Sequence, residues 1–71
     1  MNLKDCIEQI LSAWVATWLT LGKITELCAQ RLQFDVLPED VLFELELLER
    51  YGRVERKTLP PGYMIGWRAK A

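Results

Sequence analysis

The stretch PEDVLFELELLERYG, Pro38 to Gly52, leaves little freedom in how it can fold. Proline is tolerated in the first turn of a helix, where its missing N–H would have no partner anyway. Glu39 and Asp40 follow it, and acidic groups in a first turn complement the positive end of the helix dipole. Val41, Leu45 and Leu48 then recur at spacings of four and three, so they form one apolar stripe. Gly52 ends the run, because glycine accepts the left-handed backbone that closes a helix. The spacing predicts a helix over residues 38–50.

Two more helices precede it. Asn2 is a strong N-cap, and Asp5 three residues later makes a loose capping box. Leu3, Ile7, Ile10, Leu11, Trp14, Val15 and Trp18 return at helical spacing, which predicts a first helix over 3–17. Its wide stripe suits core packing, and Trp14 and Trp18 also suit a seam between two copies of the chain. Thr20 is the next N-cap. Ile24, Leu27, Cys28 and Leu32 mark a second helix over 21–32, and Gln33 to Leu37 breaks the pattern. Beyond Gly52, RVERKTL alternates like a strand, PPG (Pro60 to Gly62) is a strong turn signal, and YMIGW (Tyr63 to Trp67) is a second strand-like run. The pair predicts a β-hairpin with Ile65 and Trp67 on one face.

The chain has 71 residues, room for one small domain spanning 1–71. Its composition, 51% hydrophobic and 27% charged, favours a packed domain over disorder. No apolar run approaches the ~18 residues of a membrane span. No basic region followed by an apolar block opens the chain, so a secretion signal is not expected and the cytoplasm is the expected location. The two cysteines, Cys6 and Cys28, sit among apolar helical positions and read as buried thiols, with a disulfide between them the alternative that an even count leaves open. With no histidine and no closely spaced cysteine pair, neither a zinc site nor any other metal or cofactor is expected.

The order of helix, helix, helix and hairpin, with Thr20 before the second helix, Ile24 and Leu27 inside it, then Val41, Leu45, Leu48, Gly52 and Val54, resembles the winged helix-turn-helix superfamily. The resemblance covers about residues 3–68. It implies an α+β fold, mainly α: a three-helix helix-turn-helix core followed by a C-terminal β-hairpin wing. It says less about function, since the superfamily holds DNA-binding repressors and protein-binding modules alike.

No catalytic constellation is visible. Ser12 is the lone serine and lies inside the first helix, no histidine is available as a base, and the glycines do not form a phosphate-cradling loop. The chain is therefore read as a non-enzyme without a small-molecule substrate. The net charge of −1 conceals a polarity: residues 1–49 carry three basic and nine acidic side chains, residues 50–71 six basic and one acidic.

In DNA-binding winged helices the third helix reads the major groove. Here, at about 100° per residue, the side opposite Val41, Leu45 and Leu48 carries Glu39, Phe43, Glu46, Leu47 and Arg50, with Asp40 at its edge. Carboxylates there would meet phosphates, and up to Arg50 the side chains that read most bases or hold phosphates are missing. Phe43 and Leu47, large apolar groups expected to face outward among acids, suit a protein contact better. The expected partner is a protein with a basic surface, met by Phe43 and Leu47 as anchors and by Glu39, Asp40 and Glu46 as a rim. The other reading is a DNA-binding regulator that uses Arg53, Arg56, Lys57, Arg68 and Lys70 of the basic wing for phosphate contacts.

Overall fold

The computed structural model describes residues 1–62 and 64–70. Three helices come first: α1 (Leu3–Ala13), α2 (Leu21–Leu32) and α3 (Pro38–Arg50). A two-residue strand, β1 (Leu19–Thr20), separates α1 from α2, and β2 (Val54–Leu59) and β3 (Met64–Ala69) form the C-terminal hairpin. The sheet is antiparallel, in the order β1-β3-β2. The expected α+β layout of three helices and a hairpin is present, and it is compatible with a winged-helix arrangement. Tyr63, expected to open the second hairpin strand, lies outside the described residues.

The helix ends follow their local chemistry. Asn2 Oδ1 accepts from the Asp5 N–H at 2.8 Å, and Thr20 Oγ1 accepts from the Lys23 N–H at 3.3 Å. These side chains satisfy first-turn donors that have no partner within the helix. Pro38 occupies the first turn of α3. At its other end Gly52 has φ +76° and donates to the Glu49 carbonyl, while Arg53 donates to the Leu48 carbonyl. That pair of bonds is a Schellman closure, which needs the left-handed residue glycine supplies without strain. It turns the chain directly into β2.

One expectation fails. The first helix stops at Ala13 rather than near residue 17, with Trp14 as its C-cap and a turn in which Thr17 donates to the Trp14 carbonyl at 2.9 Å. Trp14 and Val15 are exposed. Trp18 lies beyond the helix and leads into β1, which pairs Leu19 with Trp67 and Thr20 with Gly66. The segment after Trp14 holds the β-branched Val15 and Thr17, which give up rotamer freedom in a helix, and the pairing with β3 takes its end. Trp14 and Trp18 therefore do not share a helical face.

The core lies where the three helices meet the inner face of the sheet. Cys6, Ile7, Ile10 and Leu11 of α1, Ile24 and Cys28 of α2, and Val41, Leu45 and Leu48 of α3 are buried. Leu19, Val54 and Trp67 close it from the sheet side. Trp67 is buried to 1% exposure, whereas Ile65, two residues earlier on the same face of β3, is 41% exposed because the hairpin tip projects past the core. Both thiols are free.

Candidate functional site

The stripe of Val41, Leu45 and Leu48 fixes how α3 is rotated, and hence what it shows to solvent. Glu39 and Asp40 are exposed in the first turn. Phe43 is 60% exposed in mid-helix, an unfavourable setting for a side chain whose burial contributes roughly 1.5–3 kcal/mol. Glu46 is exposed as well, but Leu47 is half-buried and offers less surface than its position suggested.

The hairpin folds back beside α3, and its charges are engaged with the helices. Arg56 lies across the Trp67 ring, 4.5 Å from the centroid. Its guanidinium makes a fork with the Glu49 carboxylate, Nε at 2.8 Å and Nη2 at 2.6 Å, with Glu46 3.9 Å away. Hydrogen bonding from Arg56 holds the Glu49 carboxyl below the usual carboxylate range, and Glu49 in turn raises Arg56. Arg53 reaches Glu8 on α1 at 3.4 Å. On the outer face of the sheet, Arg68 bonds Glu55 at 2.6 Å and stacks on Trp18 at 4.2 Å, while Lys57 sits 5.7 Å from the same ring. Lys70 is exposed, and its backbone N–H donates to the Arg53 carbonyl.

The residues singled out in the basic end thus divide. Arg53, Arg56 and Arg68 each spend their charge on a carboxylate of the same chain. Lys57 and Lys70 have no carboxylate within ion-pair distance among the described residues. On α3, Glu39 and Asp40 are likewise unpaired among the described residues, and Glu46 is only partly offset by Arg56.

Between α3, the start of α2 and the hairpin runs an open groove of about 490 Å³. Leu21, Leu42, Ile65 and Trp67 give it an apolar lining, and Glu46 and Arg56 stand in its wall. Leu42 escaped the sequence reading because it belongs neither to the core stripe nor to the face opposite. Its neighbours in the groove come from two other elements, and nothing in the local pattern says how closely the hairpin approaches α3. Of the outward residues of α3, Glu46 lines this groove and Glu39 projects to nearly the same side, whereas Phe43, Leu47 and Asp40 turn progressively away from it at ~100° per residue. Among the described residues no group of three or more metal-ligating side chains comes together, and no helix is long and apolar enough to cross a membrane.

No protein-family model, curated protein or solved structure matches the chain.

Proposed function

We propose that the chain is a non-catalytic winged-helix regulatory module that binds another protein through the outer face of α3, as a regulator, adaptor or inhibitor. The observation that carries this reading is Phe43, 60% exposed among carboxylates at the position a winged helix offers to its target. An aromatic ring is an effective anchor because it brings a large contact area at small entropic cost. Glu39, Asp40 and Glu46 around it favour a partner with a basic surface and speed its approach. The free buried thiols suit a reducing, cytoplasmic setting.

Wild type and Phe43→Asp, immobilised side by side, test the reading. The partner is retained by wild type and by Tyr51→Asp, a change at an aromatic 73% exposed off this face, and is lost by Phe43→Asp at an unchanged unfolding temperature. Capture that survives Phe43→Asp removes the α3 face from consideration.

A second reading, a DNA-binding regulator, draws support from Lys57 and Lys70, exposed on the hairpin without a carboxylate partner among the described residues. Phosphate contacts from such groups need no base reading. The carboxylates of α3 oppose it.

A further inference from the structure

We infer that the groove between α3 and the hairpin is the specificity pocket of the partner-binding face, and that it takes a bulky apolar side chain from a lysine- or arginine-bearing segment of the partner protein. The inference rests on the α3 reading above and narrows it to one side of the helix.

Three observations converge on this occupant. The first is the lining. Leu21, Leu42, Ile65 and Trp67 present apolar surface from three different elements, so a ligand there meets hydrocarbon on several sides at once. The volume of about 490 Å³ falls within the range of roughly 300–1,000 Å³ in which clefts hold ligands.

The second is the state of the charges in the wall. Arg56 does not present a free cation to the groove, because Glu49 holds its guanidinium through a two-nitrogen fork and Trp67 supports it from below. Glu46 stands 3.9 Å from that guanidinium, at the limit of an ion pair, and half of its side-chain surface is in solvent. With Arg56 and Glu49 neutralising each other, the charge left in the groove wall is the Glu46 carboxylate. Arg50 shares this side of α3 but lies at its C-terminal end, one helical turn beyond Glu46.

The third is the rim. Glu46 stands in the groove wall, and Glu39, seven residues earlier, projects to nearly the same side of α3. A segment laid along that side passes two acids about two helical turns apart. A partner with cations either side of an apolar anchor matches that pair: the anchor enters the groove against Trp67 and Ile65, and its neighbours pair with Glu39 and Glu46. Anchors buried in a pocket within a charged rim carry most of the energy of such contacts. An acidic segment meets repulsion at both rim positions, and duplex DNA meets the same repulsion with no apolar group to fill the groove.

Random dodecapeptides displayed on phage, selected on the immobilised chain, supply the probe. The enriched peptides are synthesised and titrated into isotope-labelled protein. The expected sequences carry a Leu, Phe or Trp flanked by Lys or Arg, and they shift the Trp67 indole N–H and the methyl groups of Leu42 and Ile65. Ile65→Glu, at a hairpin-tip side chain already 41% exposed, weakens them on the order of tenfold or more, as does replacing the peptide's anchor by Ala. Peptides that shift only Asp40, Phe43 and Leu47, and that bind Ile65→Glu as well as wild type, overturn the groove while leaving the α3 reading standing. Enrichment of acidic peptides, enrichment of none, or groove-independent shifts produced only by duplex DNA overturn both.

Discussion

Arg56 is the side chain on which sheet and helix most directly meet. It covers Trp67 and grips Glu49, joining β2 to α3 outside the core. Both partners are about one-third exposed, so solvent screens the pair, and an exposed ion pair contributes about 0.2–1 kcal/mol. Because Arg56 depresses Glu49 below its ordinary 4.5, the folded state binds that proton less readily than the unfolded chain does. The stabilisation is complete above about 4.5 and fades as pH falls through the lower folded value. Glu49→Gln is therefore expected to lower the urea midpoint modestly at pH 7, with the gap to wild type closing below pH 4.5. A gap that stays constant into acid would mean that Glu49 acts by packing alone. The thiols give a second test at this scale. Burial, with the neighbouring Cys6 adding to it, pushes Cys28 up to about 12. Since the thiolate is the reactive form, the native protein at pH 8 is expected to react with a thiol reagent at least about tenfold more slowly than in urea. Rapid native modification would show that α1 and α2 separate easily.

Between α1 and the hairpin, the decisive contact is the one sequence periodicity concealed. Trp18 fits the helical series of Leu3, Ile7, Ile10, Leu11, Trp14 and Val15, and the spacing alone gives no reason to remove it. It packs instead over Gly66 on the outer face of the sheet. A Cβ added at Gly66 would lie 2.9 Å from Trp18 Cβ and 2.9 Å from Leu59 Cδ1. Leu59 could turn aside, but the root of Trp18 is fixed by the pairing of Leu19 and Thr20 with β3. Gly66→Ala is thus expected to cost about 1–3 kcal/mol through overpacking, measured by urea unfolding, with Trp18 losing its stack on Arg68. A neutral result would mean that β1 is held loosely. The elements that could be read beforehand, α2 and α3, owe their legibility to local signals: Thr20, Pro38 and Gly52 are caps whose chemistry acts within a turn. β1 has only two residues, and its existence depends on a strand more than forty positions away. No window along the chain contains that information. The site divides in the same way. Exposure of Phe43 follows from the stripe of Val41, Leu45 and Leu48, while the groove beside it needs Ile65 and Trp67 brought across from the hairpin.

Taken as a whole molecule, the chain folds its charge polarity back on itself. The sequence separates −6 on residues 1–49 from +5 on residues 50–71, a distribution that on its own suggests a cationic face for phosphates. The fold sets Arg53 against Glu8 and Arg56 against Glu49, while Arg68 is met by Glu55 of its own hairpin. Of the six cations in the last 22 residues, this leaves Arg50, Lys57 and Lys70 without a carboxylate within ion-pair distance among the described residues. Each phosphate neutralised on duplex DNA contributes about −0.9 to the slope of log affinity against log salt, so three contacts give a slope no steeper than about −3. Fluorescence anisotropy of a labelled duplex across a salt series is expected to show weak binding and a slope within that limit. Lys57→Ala with Lys70→Ala is expected to flatten the slope further, whereas Arg56→Ala mainly lowers stability. A slope near −5 that Arg53→Ala and Arg56→Ala reduce would require the arginines to leave Glu8 and Glu49 for phosphates. Those two carboxylates would then act as gates on a DNA-binding wing, and the role of α3 would pass from partner recognition to restraint of that wing.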